Sequence, residues 1–381
     1  MEAYLDNSAT TCVYQETADL VCDLMVNHYG NPSAMHQKGV EAEQYIRTAQ
    51  ETLAKILKVK EKEIFFTSGG TESDNWALVG TAMANKRTGN HIITSAIEHP
   101  AVSAPLAFLE EQGFRITRLP VNKEGLVDVN ELEEAITPET ILVSIMYVNN
   151  EIGAVEPIGE IGRRIKAKNP KTYFHVDAIQ AFGKYRIYPK RMGIDMLSVS
   201  GHKIHAPKGI GALYLSDRLV QAFRPPYLGG EQERGLRPGT ENLPYAMGLA
   251  AAATRLAKTM KSRDTAMKAL NRRLRDGLKA FPEVELNSPE NAVPEVLNFS
   301  ENCIKSETML AWLAEAQVYV SSASACGRGQ PSHTLAAMGK DPLAIDTAIR
   351  VSFCGDNTPE DVDAFLNRFE DGMKHLQKIR K

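Results

Sequence analysis

From about residue 60 to residue 216, short apolar runs alternate with helical patterns, and this alternation restricts the possible folds more than any other feature of the chain. The runs are Ile64–Ser68, His91–Ala96, Phe114–Pro120, Ile141–Asn149, Tyr173–Ala178, Met196–Ser200 and Gly211–Leu215. Several, such as ILVSIMYV and GALYL, are almost unbroken apolar sequences, as expected of strands covered on both faces. Amphipathic stretches at Val40–Leu57, Ser73–Lys86 and Ile158–Lys168 predict helices among the earlier runs. Seven strands with interleaved helices predict an α/β fold built on an open, mostly parallel sheet. The link Asp195–Gly211 is too short and irregular for a crossover helix, so the last strand is expected to run antiparallel.

Past this region the pattern changes. Residues 224–241, RPPYLGGEQERGLRPGTE, form a long Gly-, Pro- and Arg-rich segment without periodicity, and such loops inside compact proteins usually serve function. A long helix is predicted from about Leu243 to Phe281. Short elements follow, at Val296–Phe299, Thr308–Ala316, Val318–Ser321, Ala348–Ser352 and Pro359–Gln377. The expected organisation is a large domain over 15–255 and a small α+β domain made of 1–14 and 256–381, a division that suits the length of 381 residues.

Composition excludes several classes of function. The formal net charge of −3 offers no attraction to nucleic acid or to an anionic membrane. No apolar run approaches the ~20 residues of a membrane span. MEAYLDNSATT lacks the basic-then-apolar order of a secretory signal. A soluble cytoplasmic protein is expected. The five cysteines, Cys12, Cys22, Cys303, Cys326 and Cys354, are odd in number and widely spaced, and suggest neither a disulfide framework nor a metal site.

In open α/β sheets ligands bind beyond the carboxyl ends of the strands, so the residues that follow each run are the candidates for chemistry. After IFFTS comes Gly69-Gly70-Thr71-Glu72 at a predicted helix start, where backbone N–H groups favour an anion such as phosphate. His99 follows HIITSA, Asn149-Asn150-Glu151 follows ILVSIMYV, and Asp177 ends TYFHV with Gln180 three residues on. Ser200-Gly201-His202-Lys203 ends the sixth run. Taken singly, each has an ordinary explanation: Asp177 as a helix cap, His99 as a satisfied loop residue, Lys203 as a solvated amine. Together they supply an amine, a carboxylate, an imidazole, two amides and an anion cradle. Pyridoxal phosphate requires an amine for its imine link, an acid for its ring nitrogen and an anion site.

The segments YLDNSATT, YGNPSAMH, TSGGTESDN, AIEHPAV, YVNNEIG, HVDAIQAFGK, SGHKIHAPKGIGALY, ERGLRPGTEN and SSASAC occur in the order and spacing of cysteine desulfurases. The chain thus resembles the NifS/IscS-like, class-V members of the fold-type-I pyridoxal-phosphate aminotransferases. The resemblance implies a pyridoxal 5'-phosphate enzyme that takes sulfur from L-cysteine, leaving L-alanine and a persulfide on Cys326. It implies that Lys203 carries the cofactor, with Asp177 on the ring nitrogen, Gln180 on the phenolic oxygen and His99 over the ring. Gly70, Thr71, Ser200 and His202 would hold the phosphate, with Thr240 reaching across from the second subunit of a homodimer. Asn150 and Arg350 would fix the substrate, Arg350 by a bidentate grip on its carboxylate.

Cys326 lies between small and flexible residues, Ser322-Ala323-Ser324-Ala325 before it and Gly327-Arg328-Gly329 after it, as suits a thiolate that must reach two places. It departs from the usual family pattern in the Gly that follows the cysteine and in a shorter stretch to Pro331-Ser332-His333. The implied partner is a sulfur-accepting protein, such as an iron–sulfur scaffold or a tRNA-thiolating enzyme. Two other readings remain at this level: a selenocysteine lyase on the same scaffold, and an inactive homologue that serves as a scaffold for sulfur transfer.

Overall fold

A computed structural model describes residues 2–220, 223–322 and 331–379 of the chain. Cys326 and Arg328 lie outside the described residues. The strands, in chain order, are β1 (Ala3–Tyr4), β2 (Ile64–Thr67), β3 (His91–Ser95), β4 (Arg115–Leu119), β5 (Thr140–Met146), β6 (Tyr173–Asp177), β7 (Met196–Ser200), β8 (Gly211–Leu215), β9 (Glu285–Leu286), β10 (Val296–Ser300), β11 (Val318–Tyr319), β12 (Ser321–Ser322) and β13 (Ala348–Ser352).

β2 to β8 make one seven-stranded sheet in the order β2-β8-β7-β6-β5-β3-β4. All its pairs are parallel except those of β8, which is antiparallel to both β7 and β2. β2 therefore runs in the common direction, and only β8 is reversed, as the short link before it requires. Every residue of β2, β3, β5, β7 and β8 is buried. Helices cover both faces, which is why these strands read as continuous apolar runs rather than alternating ones.

The helix Ile158–Lys168 shows how tightly one cover packs. Ile158, Ile161, Gly162 and Ile165 face inward at helical spacing, and Lys166 and Lys168 sit in the last turn, where the macrodipole favours cations. The predicted helix at Ser73–Lys86 is less regular than expected. It starts at Gly70, widens into a π segment over Trp76–Gly80, and resumes as α-helix from Thr81 to Asn85. At the end of the π segment a Cβ on Gly80 would meet the ring of Phe223 at 2.5 Å, so the chain is crowded there.

A second packing centre surrounds the four-stranded sheet β12-β13-β10-β9 and the parallel pair β1-β11. The single run expected at Val318–Ser321 is divided between two sheets. β11 pairs with the N-terminal β1, β12 pairs with β13, and Val320 marks the break. The helix Leu243–Leu278 joins the two centres: Leu243 to Leu256 pack on the large sheet, and Met267 to Leu278 pack with Phe299, Phe365 and Phe369. No helix among the described residues is long and apolar enough to cross a membrane.

Two glycines of the helix Ile158–Lys168 separate packing from propensity. A Cβ on Gly162 would stand 1.9 Å from the Met192 carbonyl oxygen, whereas a Cβ on Gly159 would meet nothing within 4 Å. Gly162→Ala is expected to destabilise the protein by about 1–3 kcal/mol through overpacking. Gly159→Ala is expected to stabilise it by up to about 1 kcal/mol through helix propensity. Chemical denaturation of the two variants measures both.

Candidate active site

The common direction of the strands brings the ends of β2, β3, β5, β6 and β7 to one edge. A cavity of about 200 Å³ opens there. Its lining holds Gly70, Thr71, His99, Asn150, Asp177, Gln180, Ser200, His202, Lys203 and Arg350, together with Ser8. All of these except Ser8 are candidates by sequence. Thr240, the residue expected to act on the second subunit, is exposed and does not line this cavity.

At one end of the cavity the backbone turns from β2 into a helix. Gly69 has φ 153°, a conformation that side chains disfavour. The helix starting at Gly70 presents first-turn N–H groups with no intrahelical acceptor. Its turn is braced by Glu72, which accepts from Ser68 N at 2.6 Å and pairs with Arg237 Nε at 3.0 Å. A Cβ on Gly70 would collide with Ile179 Cδ1 at 2.1 Å, so the backbone comes close to the cavity wall only because no side chain intervenes. Ser200 and His202 stand on the facing strand end. Burial, and after it the nearby Lys203 and Lys208, pushes the His202 imidazole down to about 4, so it is neutral near pH 7.

Lys203 ends the single turn Gly201–Lys203 after β7. Its Nζ donates to the carbonyl oxygens of Ser8 at 2.5 Å and Ala9 at 2.7 Å. Ser8 lies in YLDNSATT, a segment the sequence marks as a motif without any role for this residue. What it contributes is a main-chain oxygen, which no side-chain pattern reveals.

Asp177 ends β6 at the centre of the sheet and is 5% exposed. Its Oδ1 accepts from Ile179 N at 2.9 Å. Burial foremost, and then the neighbouring Asp74, raises its carboxyl to about 8, with Lys203 opposing. A cation placed against this carboxyl would restore its charge.

His99 caps the helix Pro100–Glu111 by accepting from Ala101 N at Nδ1, 3.0 Å away. An Nδ1 that accepts leaves the ring proton of the neutral form on Nε2. Burial first, then Lys203 and His333, lowers this imidazole to about 4. Behind it, Glu98 is buried and its carboxyl is held well above the usual range by desolvation. Glu98 Oε1 accepts from Ser95 Oγ at 2.6 Å and Met146 N at 3.0 Å, which ties the ends of β3 and β5 together.

On the opposite wall Arg350, on β13, is 2% exposed. Its Nη2 pairs with Asp6 Oδ1 at 2.8 Å and its Nη1 donates to the Asn150 carbonyl at 3.0 Å. Its buried Nε has no acceptor among the described residues. Asp6 is another partner the sequence analysis did not name. Ser321 of β12 is in register with Arg350, and on the far side of residues 323–330 Ser332 Oγ donates to Glu151 Oε2 at 2.5 Å while His333 Nε2 meets the Glu98 carbonyl at 2.9 Å. The described residues that flank the segment of Cys326 are therefore both fixed at the rim of the cavity.

An amine, a buried acid, an open helix start and a buried guanidinium fit the imine link, the ring nitrogen, the phosphate and a substrate carboxylate of pyridoxal-phosphate chemistry. The sequence model of the aminotransferase class-V family matches residues 3–365. The chain belongs to that family. Among class-V relatives, a protein named cysteine desulfurase IscS from Methanosarcina thermophila is 43% identical over 379 residues, covering 99% of this chain and 93% of that one. A solved structure titled NifS-like protein is 37% identical, covers 99% of this chain and all of its own, and superposes with a TM-score of 0.94. Another, titled SspA in complex with cysteine, is 34% identical with a TM-score of 0.82, covering 93% of this chain and 99% of its own.

The raised Asp177 carboxyl has a consequence for stability. Without a cation opposite, the folded protein keeps this proton up to about pH 8, whereas the unfolded chain loses it near the ordinary value of 3.8. The stability it contributes is present at low pH and is lost as pH rises through 8. A ring cation removes that loss. The rise in Tm on adding pyridoxal phosphate is therefore expected to be larger at pH 8 than at pH 5.5 by about 2–4 °C. This pH dependence is expected to shrink in Asp177→Asn, as measured by thermal unfolding with and without cofactor.

Proposed function

We propose that the chain removes sulfur from L-cysteine as a pyridoxal-phosphate-dependent cysteine desulfurase, releasing L-alanine and carrying the sulfur as a persulfide on Cys326. The family, the relatives named cysteine desulfurase and the NifS-like structure carry the enzyme class, the cofactor and the reaction, and favour them over a selenocysteine lyase or an inactive scaffold. The assignment of individual residues is our reading of the cavity.

When bound, pyridoxal phosphate supplies an electron sink for bonds at the cysteine Cα and Cβ. The residues of the chain do the rest. Lys203 Nζ would hold the cofactor, and as a free amine it would take the substrate Cα proton. The Asp177 carboxylate holds a proton on the ring nitrogen. Gly70, Thr71, Ser200 and His202 hold the phosphate, and Gln180 contacts the phenolic oxygen. His99, neutral, would contact the cofactor and would hold or move a proton at Nε2. Arg350 would grip the substrate carboxylate through donors that include Nε, which has no acceptor among the described residues, and Asn150 lines the same cavity. The Cys326 thiolate attacks the substrate sulfur: an S–S bond forms as the C–S bond breaks, and the electrons of that bond stay with carbon.

The observation that carries the choice of Cys326 is the fixing of both flanks of its segment at the cavity rim. The four described cysteines do not compete. None lines the cavity. Burial first, and Glu301 after it, raises Cys303 to about 12, and burial raises Cys354 to about 11, so neither is poised as a thiolate.

The working unit is a homodimer in which Thr240 reaches the partner's site. The exposed Tyr227 and Leu228 in the same loop, and Met25, Val26, Tyr29 and Met35 near the first helix, support a covered surface there. The division into 15–255 and 1–14 with 256–381 is supported by the change of packing partner along the helix Leu243–Leu278. We place the protein in the cytoplasm, passing sulfur to an acceptor protein such as an iron–sulfur scaffold or a tRNA-thiolating enzyme.

Cys326→Ala is expected to keep the yellow cofactor and its spectral response to cysteine while losing sulfide production. Lys203→Ala is expected to lose the covalent cofactor link. Absorbance, alanine release and sulfide assays measure these outcomes, and full turnover by Cys326→Ala would refute the assignment.

A further inference from the structure

Gln180 sits in the cavity wall, 5% exposed, between two neighbours of opposite hydrogen-bonding character. Its Oε1 accepts from Lys184 Nζ at 3.2 Å, and its Nε2 donates to the Ser8 carbonyl oxygen at 3.0 Å. An ammonium only donates and a carbonyl only accepts, so the two contacts independently demand the same orientation of the amide. One N–H of Nε2 is used by Ser8, which leaves the second for a group in the cavity.

Lys184 is delivered beneath Gln180 by consecutive turns after β6. Phe182 N donates to the Ala178 carbonyl and Lys184 N to the Ala181 carbonyl, and Gly183 supplies the φ of +81° between them. The charges facing the Lys184 ammonium are Glu295, Arg263 and Arg350. Desolvation lowers its pKa and Glu295 opposes that effect. Glu295 is 6% exposed and one of its oxygens, Oε2, has no hydrogen-bond partner among the described residues. It immediately precedes β10, and with Lys184 and Arg263 it lines a small cavity that also touches Lys203.

We propose that Lys184 is a positioning residue that locks the Gln180 amide with its N–H end toward the phenolic oxygen of the cofactor. The proposal rests on the cofactor placement given above. With the lock in place the phenolate receives a donor. Without it the Ser8 carbonyl alone holds the amide, and whenever the amide turns its carbonyl opposes the phenolate with a second acceptor. Losing that donor disfavours the deprotonated chromophore.

The test is a pH titration of the visible cofactor absorbance in the loaded protein, followed as a midpoint and not as turnover. Lys184→Met is expected to raise the midpoint by about one unit, the tenfold effect that one hydrogen bond carries. Lys184→Gln, which keeps a donor, is read alongside it and replaces it should the Met variant fail to fold; its shift is expected to be smaller but in the same direction. In a Gln180→Leu background, Lys184→Met is expected to add much less than it does alone. An unchanged midpoint in both Lys184 variants would overturn the proposal. So would an equal shift with and without Gln180, which would show that Lys184 acts as a bare charge. A wild-type protein that takes up no cofactor band would overturn the underlying site reading as well, and is thereby told apart from a failure of the lysine alone.

Discussion

Six of the seven strands in the large sheet run the same way, and this common direction sets the position of the groups that follow its strands, among them His99, Asn150, Asp177 and Lys203. Parallel strands place their carboxyl ends at one edge, and the polar residues that stop each apolar run gather there. The reversed β8 allows the chain to return over a short link without a crossover helix. That link carries Ser200, His202 and Lys203 along the cavity wall instead of leading them away from it.

The same arrangement buries charge, which is costly unless the charges are neutralised or matched. Asp177 and Asp74 both lie within the sheet's cover, and burial raises Asp74 to about 7. His175, two residues before Asp177 on the same face of β6, is lowered to about 4 by burial, and its Nε2 lies 3.5 Å from Asp74 Oδ1. Its ring is otherwise engaged by Ser144 and Ser198 hydroxyls at 2.9 and 3.0 Å. The interior behind the site therefore favours neutral forms. Asp177 is the carboxyl that lines the cavity among the described residues, and a cation against it would restore its charge. Arg350 is treated differently, because Asp6 neutralises part of its charge while its Nε has no acceptor among the described residues.

Much of this was legible in the chain because two kinds of signal are local. Strand runs covered on both faces show as continuous apolar stretches, and strand-end residues follow them directly. The predicted helix at Ile158–Lys168 and the reversed last strand agree with the structure for that reason. Less legible were pieces whose structure comes from distant pairing. The two-residue β1 exists because Ala3 and Tyr4 find Val318 and Tyr319, and Val318–Ser321 divides because its halves join different sheets. The π segment at Trp76–Gly80 has no periodic signature of its own.

What the sequence determined by itself was the alternation that makes a parallel sheet and the order of polar residues along its edge, since both follow from solvation and side-chain chemistry within a few residues. What only the tertiary structure decided was which distant groups complete each of them. Lys203 and Gln180 share the Ser8 carbonyl, and Arg350 is held by Asp6. The two contacts on Ser8 use a main-chain oxygen. All three join groups at least 172 residues apart, and periodicity in the sequence carries no trace of them.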